Sequence, residues 1–341
     1  MMKKTKIGIN GFGRIGKAAI KAWLENDRNL EIVAINSTSG PVKHSHVFKY
    51  DSLYGTLPQE VKASDDTLTI GEKVIQFTAF RDPAEIPWKE MGVEIVMECS
   101  GKFTTEEDLR KHLIGGAKKV VLSAPPKGGD VKQIVMGVNE ETYDLEKHDI
   151  LSNASCTTNC LAPVVKVLND AFGINYGLMT TVHAYTNDQN LLDMPHKDPR
   201  RSRAANMSII PTTTGAAKAV TKVIPELEGK LNGFAMRVPT SVVSVVDFVA
   251  DLSTETSADE VNQKLKDAAG GSMKGILGYS DEPLVSIDYK KDKRSSIVDG
   301  LSTMMTGSKL VKVVAWYDNE WGYSERLIDL IAYIAQKELQ K

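Results

Sequence analysis

The chain opens on a short apolar stretch, Lys6-Ile7-Gly8-Ile9-Asn10, with the length of a buried strand, and three glycines, Gly11, Gly13 and Gly16, follow at once. Ile15, Ala18, Ala19, Ala22 and Trp23 then fall at i, i+3, i+4, i+7 and i+8, one face of a helix. Leu30–Asn36 is a second apolar run. Strand, glycine turn, helix and strand make a βαβ unit. Strands are predicted at 93–98 and 120–123, with a helix near 105–112 between them, and this alternation implies a parallel sheet. Residues 65–80 predict a small hairpin turning at Gly71.

Past Ser152 the pattern changes. A helix-like stretch at 160–169 leads to long β-rich runs at 176–185, 233–252 and 309–317, and the alternation in 241–250 fits a strand with two unlike faces. These runs predict a second domain on a mostly antiparallel or mixed sheet. Tyr323, Leu327, Leu330, Ile331 and Ile334 return to helical spacing and need a partner face, expected on the first domain. There is no internal repeat and no low-complexity linker.

Composition narrows the class. The chain has 341 residues, 42% hydrophobic and 25% charged, which fits a folded protein of about two domains. A net charge of −2 gives no whole-molecule attraction to nucleic acid or to a membrane, so neither is an expected partner. The start, Met1-Met2-Lys3-Lys4-Thr5, has no apolar run of the secretory kind, and no stretch is long enough to span a bilayer. Three cysteines make no disulfide framework. A cytoplasmic protein with reduced thiols is the expectation.

Gly11-Phe12-Gly13-Arg14-Ile15-Gly16 matches G-x-G-x-x-G between a strand and a helix, the context that gives the motif meaning. The first glycine allows the tight turn, the second lets backbone approach a pyrophosphate, and the third lets helix and strand pack closely. The helix start then offers unpaired N–H groups to the phosphates. The fold class is therefore α/β: a Rossmann-type dinucleotide-binding domain at 1–155, an α+β catalytic domain at 156–318, and a C-terminal helix at 319–341 packing back on the first. One element is missing. A site for NAD usually has an acid at the end of the second strand to hold the ribose hydroxyls. Here Asn36-Ser37-Thr38-Ser39-Gly40 stands there, with no acid before Asp51. Ser37, Thr38 and Lys43 suit a 2′-phosphate, and a weaker NAD site is the alternative.

Ser152-Asn153-Ala154-Ser155-Cys156-Thr157-Thr158-Asn159-Cys160 precedes an apolar helix. A thiol in the first turn of a helix feels the dipole, which favours the thiolate, and the flanking hydroxyls can serve an oxyanion or a phosphate. A zinc pair of Cys156 and Cys160 lacks further ligands at suitable spacing, so no metal is expected. Cys160 and Cys99 read as small packed residues. The best base for Cys156 is His183, at the end of an apolar strand. His44, His46, His112, His148 and His196 read as loop or surface residues.

Together these segments resemble phosphorylating glyceraldehyde-3-phosphate dehydrogenase, nearly from end to end. The resemblance rests on INGFGRIG (9–16), SNASCTTNCLAP (152–163), TVHAYTNDQ (181–189), IPTTTGAAK (210–218), MRVP (236–239) and WYDNEWGYS (316–324). It implies Cys156 as nucleophile and His183 as general base and later acid. It implies Thr186 and Arg237 around the substrate's phosphate. Ser155, Thr157, Thr214 and Gly215 would take inorganic phosphate, with Arg201 on a loop near both anion sites. For the cofactor it implies pyrophosphate contacts at Arg14 and Ile15, a cleft lined by Ser100, Gly101 and Ser123, Arg81 near the adenine, Asn319 on the nicotinamide amide and Tyr323 beside the ring. A homotetramer is implied, with an S-shaped loop at about 186–208.

Ser37 departs from the NAD-specific pattern, which has Asp there, and resembles members that accept NADP. Pro195 resembles the NAD-type loop instead. The signals conflict, so the cofactor is NAD or NADP, with NADP acceptance slightly favoured. The implied reaction oxidises D-glyceraldehyde 3-phosphate with inorganic phosphate to 1,3-bisphosphoglycerate through a hemithioacetal and thioester on Cys156, in glycolysis or gluconeogenesis. Two rivals remain: an erythrose-4-phosphate dehydrogenase, against which the intact Thr212-Thr213-Thr214-Gly215 phosphate pocket speaks, and a non-catalytic dinucleotide-binding regulator.

Overall fold

A computed structural model describes residues 4–340; Met1–Lys3, part of the start expected to lack a leader, lie outside the described residues. The described residues form two compact units, one of residues 4–134, 141–154 and 324–340, the other of 135–140 and 155–323.

The first unit is the α/β half. Strand β1 (Thr5–Asn10) runs into helix α1 (Arg14–Glu25) and returns as β2 (Leu30–Asn36). Ala19, Ile20 and Ala22 of α1 are at most 1% exposed, and the Trp23 indole donates to the Leu30 carbonyl at 3.0 Å, which ties the helix to the start of β2. Helix α2 (Pro41–Lys49) follows, with Pro41 at its first position, where a missing N–H costs nothing. Next come a two-stranded ribbon, β3 (Tyr50–Asp51) and β4 (Gly55–Thr56), and an antiparallel run, β5 (Val61–Ala63), β6 (Thr67–Ile70) and β7 (Lys73–Thr78). The predicted hairpin is β6–β7, with Gly71 at its turn, and β5 adds a third strand beside β6. Then follow β8 (Ile95–Glu98), α3 (Glu106–Ile114), β9 (Lys119–Leu122), β10 (Lys132–Gln133) and β11 (Ile150–Ser152). The nine strands lie in the order β10-β11-β9-β8-β1-β2-β7-β6-β5, with the predicted parallel core. Strand β1 is flanked by β2 and β8, so the connections leave in opposite directions at its carboxyl end. Such a switch point is where open α/β sheets bind ligands.

Under that edge lies a buried polar chain. The Trp88 indole donates to His112 Nδ1 at 3.1 Å, and His112 Nε2 meets Glu98 Oε2 at 3.0 Å. The Asn10 amide donates to the same oxygen at 2.5 Å, and Asn36 donates to Asn10 Oδ1 at 2.8 Å. His112 is fully buried, which corrects its reading as a surface residue: it lies three residues after Leu109, on the face of α3 that packs inward.

The second unit begins with α4 (Cys156–Phe172) and β12 (Ile174–Ala184). Then come β13 (Ile210–Thr213), α5 (Ala216–Val223), β14 (Leu231–Val238), β15 (Ser244–Leu252), α6 (Ala258–Gly270), β16 (Leu277–Ser280), β17 (Ser296–Asp299), β18 (Met304–Thr306), β19 (Leu310–Tyr317) and α7 (Trp321–Leu339). The sheet is mixed, in the order β13-β14-β12-β15-β19-β17-β16 with β18 on β19. The β-rich run at 233–252 divides at Pro239, which has no N–H to give to a ladder. Helices α4, α5 and α6 pack along this sheet, while Tyr176, Leu178, Phe234 and Leu310 leave apolar surface exposed.

From Ser324 on, α7 belongs to the first unit. Leu327, Leu330, Ile331 and Ile334 are fully buried, Arg28 pairs with Glu325 and Asp329, and Lys119 lies 3.6 Å from Glu338.

Candidate active site

In the first unit a cleft of about 560 Å³ opens at the strand ends, lined in part by Gly11, Gly13, Ser37, Arg81 and Ser100. Each motif glycine has its own reason. Gly11 has φ +92°, and a Cβ there would stand 2.4 Å from the Ser100 backbone. A Cβ on Gly16 would meet the Gly11 carbonyl at 2.5 Å, while one on Gly13 would meet nothing within 4 Å. The turn therefore needs Gly11, the helix–strand packing needs Gly16, and Gly13 leaves an open backbone face. This cradle fits a pyrophosphate.

The remaining walls carry one sign of charge. Lys17, Lys43, Arg81 and Lys102 line the cleft and no carboxylate does. Ser37 Oγ lies 2.9 Å from His44 Nε2. Sequence spacing did not single out Lys17 or His44. His44, read as a loop residue, is on α2 and half-buried, because the helix begun at Pro41 turns it toward Phe12 and Phe77. Burial and the Lys17 cation hold its pKa near 4. Arg14 begins α1 and reaches Asp51 at 3.0 Å, Ile15 and Gly16 lie behind it in α1, Gly101 is in a left-handed turn at φ +70°, and Ser123 bonds the Cys99 thiol. Of these, none lines the cleft.

In the second unit Ser155 caps α4, its hydroxyl accepting from Thr158 N–H at 3.0 Å, so Cys156 is the first helical residue. Cys156 Sγ lies 3.5 Å from His183 Nε2. His183 ends β12, and its Nδ1 lies 2.7 Å from the Ala184 carbonyl. A carbonyl only accepts, while Arg237 Nη1, 2.9 Å from the same nitrogen, only donates; because Arg237 has the Ala184 carbonyl and Thr186 Oγ1 as other acceptors, Nδ1 keeps its proton for the carbonyl and Nε2 is left to accept from the thiol. Strand register sets the next neighbour: β12 and β14 run parallel with His183 opposite Arg237. Arg237 Nη1 donates to the Ala184 carbonyl at 3.0 Å and to Thr186 Oγ1 at 3.4 Å, and its buried Nε has no partner. A half-buried guanidinium whose enclosed Nε is a spare donor suits an anion.

Burial drives both reactive groups toward neutrality. It lowers His183 to about 3, with Arg237 adding to the effect. It also pushes the Cys156 thiol up, against Arg237, the Thr157 hydroxyl and two backbone N–H groups that favour the thiolate. Burial thus works against the thiolate that a helix start favours. The Thr157 hydroxyl also points inward, to the buried Tyr317 at 2.8 Å, and Ser155 Oγ lies 2.7 Å from Thr158 Oγ1. Both hydroxyls expected to take phosphate are thus already bonded within the protein. Thr214 accepts from Ala216 N–H at 3.2 Å, and Gly215 caps α5. Arg201 is held by Thr212 at 2.8 Å and by Asp188. Asn319 Oδ1 accepts from Ser244, whose hydroxyl accepts from Ala184 N–H, each at 3.1 Å, and Tyr323 is buried. Among the described residues no cluster suits a metal ion and no helix is long and apolar enough to cross a membrane.

Two family models match the chain: "Glyceraldehyde 3-phosphate dehydrogenase, NAD binding domain" at residues 5–106 and the C-terminal domain of the same family at 155–319. Curated relatives agree. Glyceraldehyde-3-phosphate dehydrogenase 1 of Bacillus subtilis and the Geobacillus stearothermophilus enzyme are each 58% identical over 98% of this chain and 99% of their own length. Glyceraldehyde-3-phosphate dehydrogenase 2 of B. subtilis is 54% identical over 98% of both.

Proposed function

Because the chain belongs to the glyceraldehyde-3-phosphate dehydrogenase family, we propose that it oxidises D-glyceraldehyde 3-phosphate with inorganic phosphate to 1,3-bisphosphoglycerate, using NAD or NADP. The observation that carries the chemistry is the Cys156–His183 pair, with the histidine tautomer set by Ala184.

Cys156 Sγ gives its proton to His183 Nε2 and attacks the aldehyde carbon. The tetrahedral oxyanion takes hydrogen bonds from the Cys156 N–H and the protonated His183 ring. A bound nicotinamide would supply the hydride acceptor that takes the hemithioacetal to a thioester on Cys156. Phosphate then attacks the thioester, the acyl phosphate leaves, and Sγ is free again. Arg237 and Thr186 hold the substrate's phosphate; Ser155, Thr157, Thr214 and Gly215, with Arg201 close by, receive the inorganic one. Since the Ser155 and Thr157 hydroxyls bond within the protein, each would share or exchange that bond to take the phosphate. Gly11, Gly13, Arg14, Ile15, Gly16, Ser37, Arg81, Ser100, Gly101 and Ser123 serve the cofactor, with Asn319 and Tyr323 assigned to the nicotinamide end.

The carboxylate-free cleft supports NADP acceptance, because no fixed negative charge opposes a 2′-phosphate. The exposed apolar residues of the second sheet, with Leu191, Leu192 and Met194 of the long loop, support assembly; we assign a homotetramer, working in the cytoplasm. Steady-state reduction of NAD and of NADP, with and without phosphate, tests the reading. Phosphate-dependent turnover of glyceraldehyde 3-phosphate is expected. Turnover confined to erythrose 4-phosphate, or no turnover, overturns it.

A further inference from the structure

Lys17, on the second turn of α1, is only 7% exposed. Its ammonium donates to the Phe12 carbonyl and stands 3.1 Å from His44 Nδ1. His44 Nε2 in turn stands 2.9 Å from Ser37 Oγ. An ammonium only donates, so Nδ1 accepts and the neutral ring keeps its proton on Nε2. That proton goes to Ser37 Oγ, and the serine's own O–H is left to donate into the cleft it lines. Burial and the nearby Arg14 lower Lys17 to about 8, so most of it is charged at pH 7.

We propose that Lys17 and His44 are specificity-determining residues that turn Ser37 into a donor for the 2′-phosphate of NADP. The inference rests on the reading that NADP is accepted. A carboxylate at position 37 would accept from a ribose hydroxyl and repel a phosphate; the Lys17–His44–Ser37 relay reverses that polarity. A phosphate accepts only, so it matches a serine whose oxygen is already occupied by His44. NAD offers a hydroxyl that can either donate or accept, and it gains less from a fixed donor. Lys43 and Arg81 on the same cleft add charge of the same sign.

The test is isothermal titration calorimetry on the intact protein with NAD, NADP, ADP and adenosine 2′,5′-bisphosphate, for the parent and for His44→Leu, His44→Gln and Lys17→Met. The parent should bind NADP within about tenfold of NAD, and His44→Leu and Lys17→Met should each shift the NADP/NAD affinity ratio by about tenfold toward NAD, the loss of one charge-assisted contact. The bisphosphate should lose affinity relative to ADP in step. His44→Gln, which can accept from Lys17 and donate to Ser37, should recover most of the ratio. If the parent does not bind NADP, the cofactor reading falls and the relay falls with it. If the parent binds NADP and the ratio does not move in the variants, or both affinities weaken equally, the relay alone is overturned.

Discussion

Replacing His183 by Asn tests whether the pair acts as one unit. Burial disfavours a charged Cys156 and a charged His183 taken singly, so the thiolate depends on the imidazolium formed with it. At 3.5 Å and an effective dielectric of about 20, two unit charges attract by about 5 kcal/mol. That corresponds to between three and four powers of ten in the thiolate population. A more basic thiolate is also a better nucleophile, which returns roughly half of that loss. His183→Asn should therefore slow thiol–disulfide exchange at Cys156 by about 100-fold near pH 7. The assay is stopped-flow reaction with 2,2′-dithiodipyridine from pH 6 to 10.5. Cys99 and Cys160 do not interfere, because burial pushes both to about 12. The two rates should converge at the alkaline end, where the thiolate forms without help. Rates within threefold of each other across pH 6–8 would refute the coupling.

Other outcomes follow from the same geometry. Gly13→Ala should fold normally yet bind dinucleotide about tenfold more weakly, whereas Gly11→Ala, with its 2.4 Å clash and φ of +92°, should cost more than about 2 kcal/mol in a urea melt; equal effects of the two would contradict the roles given to them. Arg237→Gln should lower kcat/KM for glyceraldehyde 3-phosphate by about 10- to 100-fold and affect unphosphorylated glyceraldehyde much less, and a uniform loss would count against a phosphate contact. At Asp51, burial works to raise the pKa, but the Lys21 hydrogen bond, the Leu53 N–H and Arg14 outweigh it and hold the carboxyl near 2. A depressed folded-state pKa gives stability above the ordinary carboxylate range that is lost as pH falls through about 2. Asp51→Asn should thus cost about 1–2 kcal/mol at pH 7, discounted for screening, and chemical denaturation should show the gap closing between pH 4 and pH 2.

What could be read in advance was local. The glycine loop announces itself because strand, turn and helix are contiguous, and the parallel core follows from the alternation of elements. Cys156 announces itself through its capping context. Its acidity does not, since that depends on how much protein surrounds it. The His183–Arg237 partnership needs the β12–β14 register, which joins residues 54 apart in the chain. Thr157 shows the same limit at shorter range: one step along the helix from Cys156 swings its hydroxyl round to Tyr317. His44 was missed because α2 alternates poorly and buries only Pro41 and Phe48.

The buried chain from Trp88 to Asn36 has a consequence for how this protein can change over time. An indole can only donate, which settles the His112 tautomer, makes its Nε2 the donor to Glu98, and leaves the Asn10 amide no alternative orientation. Every member is specified by the one before it. A single substitution anywhere along the chain strands a neighbour's polar group in the interior at a cost of about 1–3 kcal/mol, so variation there has to arrive in compensating pairs. The floor beneath the dinucleotide cleft should therefore drift far more slowly than its Ser37–Lys43 rim, where side chains can be exchanged one at a time and cofactor choice can be retuned without rebuilding the sheet edge.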